Sequence, residues 1–439
     1  MLLQVSSFKN KIETIFENLC SLLVSDSYQN IEICEVLLCC HDVDRSDMLK
    51  GQAYSRLVDS LAEELIRDGW KCAQFALPPS ILVGNKAWGR PVSANRRLFL
   101  GRILLGLYQL VEKAGIRLST ETVNWITSYE QRFYDELFDR TRCRVVITIG
   151  SPPAMCKAAH SRGLPVVELL HGIGYTKIPW GWDQRESELL PKGILSLDDV
   201  STQTFLSLNA KGVIIKQIPH PWLKRFLNPE VMKHLPEEWK VVPEWLLGEQ
   251  RKRVLLSLQW GYDGELEEYS GILPNGIIHD EVLSAISATQ ETVIWLIRLH
   301  PVQLRKSRYV RHRKFIRNLC EKLSNCEWQQ SSKLPLPLLL NYTDGHITMS
   351  SMTAYDAAFQ GVSSLLLCPT LRFGGFYYGM FQDLLESGYA TLGALNAQTI
   401  LEWVRMVDRR LEPFQFNSSS DCDWTSAVEW MLGSARRDG

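Results

Sequence analysis

Short apolar runs rich in Val, Ile and Leu alternate, from about residue 34 to residue 218, with stretches whose apolar positions recur every three to four residues. Runs of roughly five to seven apolar residues without polar alternation fit strands buried on both faces, and the longer periodic stretches fit the helices that cover them. The pattern predicts strands over 34–40, 72–77, 144–149, 166–170, 193–197 and 213–218, with helices over 54–68, 97–114 and 121–140. From Pro219 it changes. His220-Pro221-Trp222, Asn228-Pro229, Leu235-Pro236 and Val242-Pro243 follow closely, and Pro neither continues a helix nor donates within a central strand, so this stretch reads as a connection. A second series starts at Arg253, with strands in VLLSLQ (254–259), VIWLIRL (293–299), HITMS (346–350) and SSLLLCP (363–369). Helices are expected over 280–289, 308–323, 352–360 and 398–410, and a last one near 424–432 is expected to cross back to the first domain. The fold class is therefore α/β, with two Rossmann-like domains, 1–245 and 246–439, facing each other across a cleft.

Composition narrows this picture. A chain of 439 residues exceeds what one core usually supports, and 45% hydrophobic with 22% charged residues is the balance of a folded protein. Lys+Arg 48 against Asp+Glu 49 gives a net charge of -1, with no general attraction to nucleic acid, and no nucleic-acid partner is expected. The first 25 residues interleave Lys and Glu with apolar positions and lack the apolar centre of an export signal. No uncharged apolar run approaches the roughly 20 residues that cross a bilayer. Cys is present at 11 positions, an odd number without a C-x-x-C pair, which suits thiols in a reducing cytoplasm.

Open α/β sheets bind ligands beyond the carboxyl ends of their strands, so residues just after strands carry the candidate chemistry. ELLHGIGYTKIPWGW (168–182) brings together Glu168, His171, Gly172, Tyr175, Trp180 and Trp182, a carboxylate and an imidazole among aromatics that can stack on sugar rings. SLQWGYDGELEEYSG (257–271) carries Gln259 and Asp263 beside Gly264, where a loop carboxylate can act as base or nucleophile; Glu265, Glu267 and Glu268 are weaker candidates. In WLIRLHPVQ (295–303), Pro301 ends a strand and holds His300 at its edge. Arg298, on the opposite face from Leu299, is expected to pair with an acid. HITMSSMTAYDAAFQG (346–361) runs a strand through Ser350 and Ser351 into a helix, an arrangement suited either to phosphate or to plain capping. The basic run RKSRYVRHRKFIR (305–317) is a solvated face or a contact for anionic lipid. HDVDRSD (41–47) also follows a strand and could line an acceptor; its Asp42-x-Asp44 spacing is not by itself a metal site, and no metal is expected.

There is no G-x-x-x-x-G-K-[ST], no G-x-G-x-x-G with its ribose acid, no G-x-S-x-G and no H-E-x-x-H, which removes most of the case for kinase-type, dehydrogenase-type and zincin chemistry. The order of the remaining motifs resembles bacterial GT-B glycosyltransferases of capsule and O-antigen synthesis, including Kdo transferases and the more distant sialyl- and polyol-phosphate transferases. The matching segments are Val166 to Gly172, L-P-x-x-I-L at 190–195, I-x-H-P at 218–221, RLHP at 298–301 and Ser350-Ser351, spanning about residues 140 to 370. The resemblance implies that His300, Pro301, Ser350 and Ser351 hold a cytidine nucleotide and that Asp263, with Glu168 as second candidate, supplies the catalytic carboxylate. It implies transfer from a nucleotide-sugar, with CMP-Kdo or another CMP-sugar first, to a glycan or glycolipid acceptor, without a further cofactor, in the cytoplasm with possible peripheral contact at the inner membrane. Alternatives are a CDP-polyol phosphotransferase, a UDP-sugar transferase or epimerase, and a non-catalytic glycan-binding module.

Overall fold

The computed structural model describes residues 19–113, 118–227, 232–233, 235–264, 266–407, 411–414 and 427–430. In chain order its strands are β1 (Val36–Cys40), β2 (Asp47–Leu49), β3 (Gln52–Tyr54), β4 (Cys72–Ala76), β5 (Val145–Thr148), β6 (Val166–Leu169), β7 (Gly193–Ser196) and β8 (Ile214–Gln217), then β9 (Lys252–Ser257), β10 (Val293–Arg298), β11 (Cys326–Glu327), β12 (Gly345–Thr348), β13 (Ser364–Leu366) and β14 (Ala390–Leu392). They form two parallel sheets of six, ordered β4-β1-β5-β6-β7-β8 and β11-β10-β9-β12-β13-β14, with the hairpin β2-β3 apart. The chain divides into two compact units, one holding the first sheet and ending at Trp222, the other running from Leu223 and holding the second sheet. The helical residues 427–430 group with the first unit, where the Trp430 ring lies 5.2 Å from Lys216 Nζ. Most of the helix expected at 424–432, and the final residues of the one expected at 398–410, lie outside the described residues.

The apolar runs account for the central strands. All five residues of β1 and all six of β10 are buried, as required of strands covered by helices on both faces. Behind β1 and β5, Phe75, Phe133, Leu137 and Met155 close one core. The single helix expected over 121–140 is two, Thr120–Thr127 and Tyr129–Thr141. Thr127 and Ser128 hydroxyls donate back to the Val123 and Asn124 carbonyls, competing with the backbone ladder at the break. The helix expected from residue 54 begins at Val58, because Tyr54 ends a hairpin whose two-residue turn, Lys50-Gly51, has φ of 50° and 76°. Two positive φ values define the turn that matches strand twist, and Lys-Gly is a weaker signal for it than Asn-Gly.

A buried polar network ties this hairpin region to the first sheet. Arg45 donates to Asp59 at 2.8 Å and to Gln74 at 2.7 Å, Gln74 donates to the other Asp59 oxygen at 2.8 Å, and Ser55 N adds a bond of 2.6 Å. Removing one partner leaves a guanidinium buried without its counter-charge. Asp59→Ala is expected to lower unfolding free energy by about 3–5 kcal/mol, measured by chemical denaturation.

Candidate functional site

In the first sheet the winding reverses between β1 and β5, so the loops leaving these neighbouring strands part and open a crevice. The loop after β5 is Ile149-Gly150-Ser151, and Glu168 on β6 determines its shape. Fully buried, Glu168 accepts from Gly150 N at 2.8 Å through Oε1, and from Ser151 N at 2.8 Å and Ser151 Oγ at 2.5 Å through Oε2. Gly150 has φ +80°, and a Cβ there would lie 3.2 Å from His41 Nε2, so the loop passes close against the imidazole that follows β1. Burial holds His41 below the ordinary histidine range. Asp42 is engaged by Ser80 Oγ and the Ile81 and Leu82 amides, and Asp44 by His41 N.

A cavity of about 300 Å³ opens here, lined among others by His41, Arg102, Glu130, Ser151, Trp180 and Arg185. Asp198, just past β7, shapes its aromatic wall. It accepts from Gly174 N at 3.0 Å and from Ser201 N and Oγ, while Tyr175 N donates to Ser201 Oγ at 3.0 Å. The loop so held brings His171, Tyr175, Trp180 and Trp182 together. Tyr175 OH lies 3.0 Å from His171 Nδ1, and the Trp180 ring centre is 5.7 Å from that of His171 and 5.2 Å from that of Trp182. Their exposures differ: Trp180 is 47% exposed, whereas Trp182 is 2% exposed and packs with Leu170, Ile194 and Phe205. Gly172 follows His171 without a positive φ; the turn is made at Gly174, φ 71°.

In the second sheet the reversal falls between β9 and β12. Gln259 and Ser350, each just past one of these strands, meet across the gap: Gln259 Oε1 accepts from Ser350 N at 3.1 Å and from its Oγ at 3.2 Å. Gln259 Nε2 donates to Tyr269 OH at 3.3 Å, Tyr262 OH lies 3.2 Å from Ser350 Oγ, and the rings of Tyr262, Tyr269 and Tyr377 form a stack with centroids 4.3 and 5.4 Å apart. Beneath the cluster, buried His346 joins three strands through Ser257 and Ser364 hydroxyls, and burial pushes it down to about 3, so it is neutral. His300 caps the helix Pro301–Arg305, its Nδ1 accepting from Val302 N at 3.2 Å. It is joined to the cluster indirectly, because Gln303 accepts from His300 N and donates to the Gln259 carbonyl. Ser351 Oγ lies 3.0 Å from Thr353 Oγ1, at the start of a helix only seven residues long.

Thus Gln259 and Ser350 meet at the second gap, with His300 linked to it through Gln303, while Trp180 and Trp182 line the first-unit cavity, His171 and Tyr175 pack on Trp180, and Glu168 holds the Gly150-Ser151 loop. Asp263 is exposed on a turn against Gly276; its electrostatic partner is His312, and it takes no part in the hydroxyl cluster that its neighbour Tyr262 enters. Glu265 lies outside the described residues. Arg298 donates to the Ser331 and Leu334 carbonyls. In the basic run, Arg305, Arg311, Lys314 and Arg317 are exposed while Tyr309, His312 and Ile316 are buried. Sequence reasoning missed Ser151, Arg102, Glu130 and Arg185 at the first gap and Tyr377 at the second. Among the described residues, no group of three or more His, Cys, Asp or Glu converges as metal ligands, and no helix is long and apolar enough to cross a membrane.

Two α/β units, each built on a six-stranded parallel sheet, define a GT-B-like fold. A solved UDP-GlcNAc 2-epimerase from Methanocaldococcus jannaschii shares it, with a TM-score of 0.51 at 10% identity over 91% of this chain and 99% of that one. The same enzyme in complex with UDP-GlcNAc and UDP gives 0.50 over the same shares, again at 10% identity. The UDP-GlcNAc 2-epimerase of Neisseria meningitidis bound to UDP-GlcNAc gives 0.48 at 14% identity, covering 91% of this chain and 93% of that one. No family model and no curated protein matches the sequence.

Glu168→Gln tests the loop clamp. The amide turns an N–H toward one of the backbone donors, so the variant is expected to lose about 1–3 kcal/mol in urea denaturation. Burial also lifts the Glu168 carboxyl from 4.5 to about 7. The folded protein keeps a proton that the unfolded chain releases, so this contribution to stability is complete below pH 4.5 and lost as pH rises through about 7. The wild-type advantage over Glu168→Gln is therefore expected to be larger near pH 5 than near pH 8.

Proposed function

We propose that the chain is a sugar transferase that binds a uridine nucleotide-sugar at the second-sheet gap, and that its first-unit cavity takes a glycan. The observation that carries the nucleotide site is the Gln259–Ser350 pairing across the point where strand order reverses, with hydroxyls and an imidazole gathered beside it. Such gaps are where open α/β sheets take nucleotides. Uridine replaces the cytidine expected from sequence because the solved structure of like fold contains UDP-GlcNAc and UDP. The cavity with exposed Trp180 supports an acceptor sugar, since a pyranose stacks on an indole face.

In this reading Glu168 is a positioning residue, because its carboxylate meets the Gly150-Ser151 backbone. His41, held neutral by burial, and Glu130 are the cavity groups able to take the acceptor proton. Glu130 is pushed up by burial despite Arg102 Nε at 3.8 Å. The leaving nucleotide would be met by neutral donors around Ser350 and Ser351, with His300 at the rim. Asp263 remains a loop carboxylate adjacent in sequence to this cluster, through Tyr262. Peripheral membrane contact, if made through the basic run, would use Arg305, Arg311, Lys314 and Arg317. The second reading, epimerisation of a UDP-sugar without an acceptor, is favoured by the fold shared with UDP-GlcNAc 2-epimerase.

Calorimetry with UDP, CMP and CDP tests the site. UDP is expected to bind more tightly than CMP and to lose at least tenfold in Gln259→Ala; CMP preference would restore the cytidine reading, and no binding by any nucleotide would overturn the proposal. Proton NMR of UDP-GlcNAc with enzyme alone separates the two reactions: a 2-epimer formed without acceptor supports epimerisation, whereas UDP release only on adding a glycan supports transfer. His300→Ala is expected to cost about 1 kcal/mol of stability through its cap, independently of ligand.

A further inference from the structure

The helix Asn95–Lys113 is apolar on two opposite sides, and among the described residues the inner one is packed at Leu98 and Gly101 while the outer one is exposed. On the inner side Leu98 is 2% exposed, and a Cβ at Gly101 would come 2.7 Å from the Tyr129 ring, so the helix lies tight against the helix Tyr129–Thr141 there. On the outer side Leu100, Ile103, Leu107 and Leu110 are 48%, 41%, 54% and 64% exposed. At 3.6 residues per turn these four fall within about 80° of arc, at the alternating three- and four-residue spacing of a coiled-coil seam. Phe99, Leu104 and Val111 flank the stripe. No charged side chain interrupts it, and Arg96, one turn earlier on the same line, is drawn off to the Leu22 carbonyl.

We propose that this stripe is the interface between two copies of the chain, paired antiparallel about a two-fold axis level with residue 105. The spacing is symmetric about that point: Leu100 would face Leu110 of the second copy, and Ile103 would face Leu107. Gly106 would face Leu104, a small residue opposite a large one. An isologous contact requires this self-complementarity, whereas a lipid surface does not. The surroundings also carry both signs, with Arg102 against Glu130 and with Glu121 and Arg132 exposed on the next two helices, unlike the cationic border of a helix seated on anionic lipid. The stripe offers on the order of 500 Å² per copy, near the lower bound of specific interfaces, so the dimer is reversible. The interface is independent of the nucleotide reading.

Sedimentation velocity over a concentration series is the test. Wild type is expected to shift reversibly from monomer to dimer, and Leu107→Glu, at an exposed site, to weaken association at least tenfold with an unchanged melting temperature. Leu100→Glu and Leu110→Lys are each expected to be monomeric, and the double variant to recover the dimer, because the two positions meet only in the antiparallel arrangement. A wild type that stays monomeric, a dimer indifferent to Leu107→Glu, or a double variant that fails to recover each overturns the proposal. So does a monomer that floats with phosphatidylglycerol vesicles through this stripe, which would make lipid the occupant.

Discussion

A parallel sheet grows only by crossovers, and where the direction of winding reverses, two neighbouring strands send their loops to opposite faces. That constraint organises this chain twice. In the first sheet the reversal separates β1 from β5, and in the second it separates β9 from β12. His41, Ser151, Gln259 and Ser350 each stand within a few residues of one of these four strand ends.

The two gaps are held open by different means. In the first, a buried carboxylate orders backbone amides from behind, leaving the space in front to rings and to Arg102, Glu130 and Arg185. A similar device recurs one strand on, where Asp198 holds the Gly174-Tyr175 turn. In the second, side chains bridge the gap directly, and a stack of three tyrosines fills the ground beside it. A buried ionisable group is costly unless fully bonded, and Glu168 meets that requirement with three donors.

The strands were legible because burial on both faces demands unbroken apolar runs, as in VLLCC and VIWLIR. Glu168 was conspicuous for the same reason, as a charge inside such a run, but sequence cannot show that its partners include backbone amides seventeen and eighteen residues away. Its expected chemical role came from residue type alone. The β2-β3 hairpin was hidden by an uncommon turn pair, and the break at Ser128 by hydroxyls that compete locally with a helix the apolar pattern would continue. Tyr377 was illegible because it joins Tyr262 and Tyr269 from more than a hundred residues away, with no periodicity to link them. Trp182 illustrates a different limit: its composition suits both sugar stacking and core packing, and only burial distinguishes the two.

The Glu168 clamp separates two kinds of inheritance within one cavity. The shape of the Gly150-Ser151 backbone is fixed from inside the sheet, by a residue that never meets solvent. Apart from Gly150 and Ser151, the cavity lining comes from elements scattered between residues 41 and 185 that do not share this anchor. Substitutions at Trp180, Arg185 or Glu130 can therefore change what the cavity accepts while the backbone donors stay in place, so selection can act on specificity without rebuilding the scaffold.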